Sequence, residues 1–475
     1  MALNITEQQY RTPLQNIQSR YVWIELLNYQ YQTVEELSGI ALSGSITIDA
    51  NADIRRTGSI ELVINNSTFE VASGGKIWLD KYIRVWVGTM SLLTGQVERV
   101  NCGMYIIDAP SYHYDLASNT LTLSLLDLMA KLTGLRNGHI KGTPISLKAG
   151  ENIRTAIINT LSLGGFNRYI VEEAPTPSVI PTDLDFSQGT TLFEILCGLR
   201  DIYPNYEMFF DVDGVFYYKP IPTGQNEPVL VDDSIWEAVV LTEDLNTDFQ
   251  NVKNSIEVYG RIHDPAYFST ETVVNGTEIT LTVASATEYA EDAIYGFILT
   301  NNTGIVSPTI RVNTLTAYPL QNDDGTAASI VAEEGAVYFC AQFKGTYWRW
   351  LGHLQAYGFA EDNNPNSPFY VEGSVGRIRL PLFDGEYANC LTDALAQQRA
   401  EYELWKHTNL NNSLSLNIIP VYWLDVNILV EYTMQRNKIK NQYLIKSVSF
   451  GLSPNDSATV SMIQYYPETP TIVSI

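Results

Sequence analysis

The chain has 475 residues, a formal charge of −24 and a charged fraction of 17%, against an average near 25% for globular proteins. That length exceeds what one hydrophobic core organises, so two to four domains are expected. The acidic balance excludes non-specific attachment to nucleic acid, whose backbone repels such a surface, and no Lys/Arg cluster opposes it locally.

The start, MALNITEQQYRTPLQ, lacks the basic-then-apolar profile of a signal peptide. No apolar run reaches the roughly 18 residues of a membrane helix, so a soluble chain without membrane insertion is expected. Cys102, Cys197, Cys340 and Cys390 are far apart and form no CxxC or Cys/His spacing. They read as reduced thiols of a cytosolic product. The 29 tyrosines among few charges suit surfaces buried against neighbours; a Tyr-rich β protein with ordinary cores gives the same composition.

Alternation predicts strands over Tyr21–Leu26, Ser43–Asp49 and Gly58–Ile64, then through Ile83, Val85 and Val87, and then a hairpin from Tyr105 to about Asp127. That is about six strands, enough to close a small barrel. From Ser124 the period changes to 3.6. Leu125, Leu128, Met129 and Leu132 share one face, Ile153, Ala156, Ile157 and Leu161 the next, and Leu192, Leu196, Leu199 and Tyr203 a third. Thr191 and Glu194 have the spacing of a capping box. Asp213-Gly214 turns a hairpin between Glu207–Val212 and Val215–Lys219.

A strand over Ser255–Arg261 returns to β structure. About a hundred residues of short strands and turns interrupt it before Gly376–Leu380 resumes. A helix through Leu391, Leu395, Gln398, Tyr402 and Trp405 follows, then strands to Tyr466.

The end of this second β region repeats the first. YIIDAPSYHYDLASNTLTLSLLD from Tyr105 parallels YLIKSVSFGLSPNDSATVSMIQY from Tyr443. Tyr105-Ile106-Ile107 matches Tyr443-Leu444-Ile445 and Tyr112 matches Phe450. With a one-residue gap in the turn, Leu121 and Leu123 match Val460 and Met462. Two amphipathic hairpins can look alike without being related. Alternatively, one small barrel is used twice, and three chains then supply six equivalent units for a ring.

Catalytic chemistry finds little support. His113, His139, His263, His353 and His407 are dispersed, with no HExxH and no GxSxG elbow. Ser73-Gly74-Gly75-Lys76 fails the phosphate-loop spacing, and Asp211-Val212-Asp213-Gly214 lacks the later glycine and glutamate of a calcium loop. No catalytic residue, metal ligand or cofactor site is assigned, and a non-enzyme is expected. The cluster Tyr347, Trp348 and Trp350 is the candidate partner-binding site. Stacked aromatics hold a sugar ring or a protein when exposed, and alternation also admits a core role.

GSITIDANADIRRTGSIEL (44–62), FEILCGLRDIYPNYEMFFDVDGVFYYKPI (193–221), FQNVKNSIEVYGR (249–261) and the 399–450 tail RAEYEL…IIPVYWLDVNILVEY…YLIKSVSF together resemble the baseplate hub proteins of contractile-tailed phages, prophages and tailocins. The resemblance implies a homotrimer whose two barrels per chain form a six-fold-like ring around the tail lumen. That ring would join the hexameric tail tube to the three-fold central spike. Implied partners are the tube protein, the spike protein, the tape measure protein and other baseplate proteins, with no sequence-specific nucleic-acid binding. The implied location is the virion tail baseplate, after synthesis in the bacterial host cytoplasm. Alternatives are a tail-associated peptidoglycan hydrolase and a receptor- or carbohydrate-binding tail protein acting through the inserted segment.

The expected fold is therefore mainly β with an α+β middle domain, two similar small tube-like β-barrels and an inserted small β domain. The expected boundaries are 1–122 for the first barrel and 123–245 for the middle domain. The second barrel with its helix takes 246–264 and 369–475, and the insertion 265–368.

Overall fold

The computed structural model describes residues 5–465 apart from 16–18, 39–40, 65–68, 117, 143, 176–177, 182, 204, 223–228, 232 and 409–410. After a short capped helix, α1 (Glu7–Arg11), come β1 (Arg20–Leu27), β2 (Thr33–Ser38), β3 (Ala41–Asp49), β4 (Arg56–Val63), β5 (Tyr82–Met90), β6 (Val97–Tyr114) and β7 (Asn119–Leu126). A middle region follows with β8 (Ile145–Leu147), α2 (Ile153–Leu163), β9 (Tyr169–Val171), β10 (Leu184–Phe186), α3 (Leu192–Arg200), β11 (Tyr206–Phe210) and β12 (Phe216–Pro220). Next stand α4 (Asp233–Val239), β13 (Val240–Asp248) and β14 (Ser255–Ile262).

The middle helices form where the 3.6 period places them. Ile153, Ala156, Ile157 and Leu161 of α2 are buried with Leu192, Leu196 and Leu199 of α3 in one core. Thr191 caps α3 reciprocally with Glu194, satisfying two otherwise orphan helix N–H groups. Gly214 turns the β11–β12 hairpin at φ +70°, a conformation open to glycine at little cost. The helix expected around Leu125–Leu132 is not α-helical: β7 runs to Leu126, and a 3-10 turn, Leu128–Lys131, follows. Asp127 stops the strand by accepting from Met129 N–H at 2.8 Å and Arg56 N–H at 2.9 Å.

An eight-stranded sheet and a separate two-stranded ribbon, β19 with β22, occupy the inserted segment: β15 (Tyr267–Phe268), β16 (Glu271–Asn275), β17 (Glu278–Thr282), β18 (Ile294–Asn302), β19 (Ile305–Val306), β20 (Thr309–Val312), β21 (Tyr318–Gln321), β22 (Ser329–Ile330), β23 (Glu333–Phe343) and β24 (Trp348–His353). It has its own core, from Ile279 to Trp348. The remaining elements are β25 (Gln355–Glu361), β26 (Arg379–Leu382), α5 (Asp393–Thr408), β27 (Asn411–Ile418), β28 (Leu429–Thr433), β29 (Lys440–Gly451) and β30 (Ala458–Gln464).

Strand pairing differs from the expected partition in two places. β14 does not join the second repeat. It pairs antiparallel with β25 and parallel with β26, and α5 covers this small sheet through Ala396 and Ala400 against Ile256 and Val258. β25 therefore belongs with β14 although it falls inside 265–368. The strand that does complete the second repeat is β13, paired with β27 from Val240↔Ile418 to Asp248↔Asn411. Both β13 and β14 have strand patterns, and only the partner each one meets distinguishes them.

Where the inserted sheet meets α5, the Asp393 carboxylate binds three groups. It accepts from the His353 ring at 2.7 Å, from His353 N–H at 3.0 Å and from Tyr357 N–H at 2.9 Å. It occupies the space a Cβ at Gly352 would fill, so that glycine is required. Glu333 lies 3.2 Å from the other ring nitrogen. The Asp393 hydrogen bond, with Glu333 adding to it, pushes the His353 pKa up to about 9. A raised histidine pKa contributes stability in full below the unfolded value, near 6.5, and loses it as pH rises through 9. His353→Gln is expected to cost roughly 1–2 kcal/mol at pH 6, given the pair's partial exposure, and almost nothing above pH 9.5. Urea midpoints of both proteins across that range check this; a constant difference would refute it.

Candidate functional site: a polar sheet face between two unpaired edges

The two repeats are not separate bodies. They lie in one twelve-stranded sheet of order β13-β27-β30-β29-β3-β4-β7-β6-β5-β1-β2, with β28 branching from β29. One core runs under both, from Ile24 through Leu123 to Val430 and Met462.

Five strands repeat in the same spatial order, β3-β4-β7-β6-β5 and β13-β27-β30-β29-β28. Ile83 faces Tyr105 as Val430 faces Tyr443, and both tyrosines are fully buried. Ile107 pairs with Leu125 and Ile445 with Met462, each followed at once by a one-residue bulge. The register thus equates Leu121, Leu123 and Leu125 with Ala458, Val460 and Met462. The second turn is one residue shorter, not longer as the sequence match has it. The sequence match is slipped by two residues, which leaves every side chain on its proper face and so passes unnoticed.

One face of this sheet is core. Over the strands from β13 to β4 the other carries Ser43, Ser45 and Thr47 on β3, Thr57, Ser59 and Glu61 on β4, Ser447 and Ser449 on β29, Ser413, Ser415 and Asn417 on β27, and Asp244 and Asn246 on β13. These are hydroxyl, amide and carboxylate groups, none of them basic. Thr47 and Ser449 hydroxyls meet at 3.0 Å across the junction of the repeats, and Ser43 donates to Glu61 at 2.8 Å. The result is a small-residue, neutral-to-acidic surface that offers a polyanion no attachment.

The sheet is continuous because β29 is longer than β28. Its first half pairs with β28 and its second, Ser447–Gly451, with β3. β6 has the same build: β5 covers it from Val97 to Ile106. Beyond Ile107 it pairs only with β7 among the described residues. The equivalent of β3 that would cover this half is β13, which stands as an edge strand at the far end of the sheet.

Exposure records the missing neighbour. Phe450 is 1% and Leu452 3% exposed, while their counterparts Tyr112 and Tyr114 are 41% and 73% exposed. Pro110 takes the place of Val448 and, lacking an N–H, leaves one gap on the open edge, a common guard against uncontrolled strand addition.

The sequence-derived contact cluster is placed differently. Trp348 is fully buried, donates from its indole to Ile310 O at 3.0 Å, and packs edge-on against Tyr289 and Tyr295. That takes it out of reach of an outside partner. Trp350 is half-buried beside Phe339 at 5.5 Å, and Tyr347 closes a turn with Lys344. The two edges were missed because an edge is defined by absent pairing. Their one sequence signal was the repeat itself.

The sequence family described as a domain of unknown function, DUF5048, matches residues 366–468, which take in β26, α5 and β27 to β30. No curated protein matches the chain in sequence. Solved structures that align over nearly the whole length include two tail proteins. The tail protein from Neisseria meningitidis MC58 is 10% identical, covering 94% of this chain and 98% of that one, with a TM-score of 0.51. The prophage MuSo2 43 kDa tail protein from Shewanella oneidensis is 11% identical, covering 95% and 99%, with a TM-score of 0.51. The chain has the fold of these tail proteins. It is mainly β, with repeated half-barrels and an α+β middle region.

Proposed function

We propose that the chain is a structural baseplate hub, a homotrimer that joins a hexameric tail tube to a three-fold central spike and surrounds the tail lumen. One observation carries this reading: the open half of β6 and the free edge of β13 are the counterparts of the β29–β3 junction already made within the chain. Pairing β13 of one copy with β6 of the next repeats that junction head to tail. Such a heterologous contact closes into a ring when its rotation permits. Three chains give six repeats, the number needed beneath a hexameric tube.

In this ring the hydroxyl- and acid-bearing face lines the lumen. With a net charge of −24, it lets DNA and the tape measure protein pass without sticking. The tube, spike and neighbouring baseplate proteins are the partners, the virion tail is the location, and no catalytic step is involved.

The internal register Ser449↔Thr47 translates to Ser111 of one copy opposite Asn246 of the next. Both are exposed in the single chain. They form a pair without mutual backbone hydrogen bonds, where Cβ atoms approach closely enough for a disulfide. The double variant Ser111→Cys/Asn246→Cys is expected to give covalent trimers on oxidation, and neither single variant any. Native mass spectrometry, with tube and spike proteins present if needed, reads the copy number. Trimers that fail to cross-link would reject the register and leave the hub reading intact; six copies, or only monomers, would reject the hub reading.

A further inference from the structure

The inserted unit closes on itself. β15 and β16, the two ends of its sheet, follow one another in the chain. Tyr267 pairs with Tyr295 of β18, Ser269 N–H donates to Gly296 O at 2.8 Å, and Thr270 N–H donates to Thr282 O at 2.9 Å before Glu271 pairs with Thr282 of β17. One stretch of chain thus joins both ends of the sheet into a barrel. Among the described residues, every member of its apolar core lies within 267–350, and the core beneath α5 takes none from that range. Where the two parts meet, a cavity of about 260 Å³ remains, lined among others by Ile262 and Asp264 of the host, Ile294 and Leu351 of the barrel and Leu391 just before α5. An interface without a shared apolar core permits relative motion.

The barrel hangs on two strands lying side by side. The chain enters through 262–264 and leaves through 353–355; Ile262 pairs with Gln355, and His263 N–H donates to Leu354 O at 2.8 Å. The register shifts at the base of this stem, between Tyr259 and Ile262, and such irregularities bend a strand. Gly352, at φ +92°, stands where the exit strand begins. Asp393 holds His353 from α5, which anchors the pivot to the host.

Arg349 makes the bond to the host beyond the stem. It is buried, and Asp323 grips it through Nε and, at 2.9 Å, through Nη2, aiming Nη1 at Pro181 O of the middle region, 2.7 Å away. Arg349 and Asp323 both belong to the barrel, so the guanidinium keeps its counter-charge when the barrel moves off. What is given up is one bond to a half-buried carbonyl, which water can replace.

We propose that the inserted barrel is a hinged arm that swings on the stem at 262–264 and 353–355, with Arg349 as the catch that closes it on Pro181. This motion does not depend on the hub reading.

Spin labels on the full chain test it. Val306→Cys on the arm and Leu163→Cys at the end of α2 are both exposed positions, and Cys197→Ser removes the half-buried native thiol. Pulsed electron double resonance then reads the separation of the two parts. The parent is expected to show one dominant separation and a small, broader second population. Arg349→Gln can still bond Asp323 but falls short of Pro181, and is expected to raise that second population about tenfold, the loss of one charge-assisted hydrogen bond. Hydrogen exchange should show the β18 and β23 amides as protected as in the parent. If Arg349→Gln unfolds the arm, the parent decides alone: urea below the unfolding range must raise its second population before β18 and β23 lose protection. The proposal is overturned if folded Arg349→Gln keeps the parent's separations, or if the parent holds a single separation until the arm itself unfolds.

Discussion

Replacing Glu207 by leucine is expected to destabilise the protein by about 3–5 kcal/mol, the cost of breaking a buried ion pair from one side. Arg55 and Glu207 are each 5% exposed and paired directly. Lys219 stands 3.3 Å from the same carboxylate, and Asn427 donates to it at 2.6 Å while accepting from Lys446 at 3.0 Å. These residues come from the turn just before β4, the β11–β12 hairpin and the second repeat, so one carboxylate ties three parts of the chain together. Without it, Arg55, Lys219 and Lys446 lose the carboxylate they share, and Asp49 is left as the acidic group acting on Lys446. Lys446 is already pushed down to about 8 by burial, with Glu207 the main group opposing that; in the variant it titrates lower still. Glu207→Gln keeps the shape and one acceptor and should lose less. Urea midpoints at constant slope measure both. A loss under 1 kcal/mol for Glu207→Leu would mean that the site rehydrates and the network is not structural.

Thr247→Pro is expected to disrupt the proposed trimer, weakening association on the order of 100-fold or more, while leaving the monomer folded. In the internal junction Leu452 donates to Gly44 O and Ala50 to Lys446 O, both at 2.9 Å, so Ile46 and Ile48 direct their backbone groups at β29. Their counterparts on β13 are Leu245 and Thr247. A proline at 247 removes an outward N–H, leaves the β13–β27 ladder intact and places a ring against the incoming strand. A lost ladder bond with an unsatisfied buried carbonyl and a clash amounts to about 3 kcal/mol, or roughly two decades in affinity. The reverse change, Pro110→Val, restores the N–H missing from β6 and should tighten association by about fivefold, near 1 kcal/mol. Native mass spectrometry across a dilution series reads both. If Thr247→Pro trimers persist, the chains meet through another surface.

The strands, the α2 and α3 helices and the β11–β12 turn were legible in the sequence because each depends on neighbours a few residues away. Alternation over Ser43–Asp49 fixes which face is apolar, Thr191 and Glu194 satisfy each other's end of α3, and Gly214 alone accepts the turn it occupies. The repeat was legible for the same reason, although its register was not: a slip of two residues preserves the period. Partner choice is a long-range property. β13 and β14 are both strands by pattern, and only the fold assigns the first to β27 and the second to β25 and β26. Trp348 and Trp350 share a face by alternation, yet one is sealed in the inserted core and the other only half-covered. Sequence spacing sets the direction of a side chain; how deeply it is buried depends on what the rest of the chain lays over it. The open edges of β6 and β13 exist only in the tertiary structure, because an unmade hydrogen bond leaves no residue to mark it.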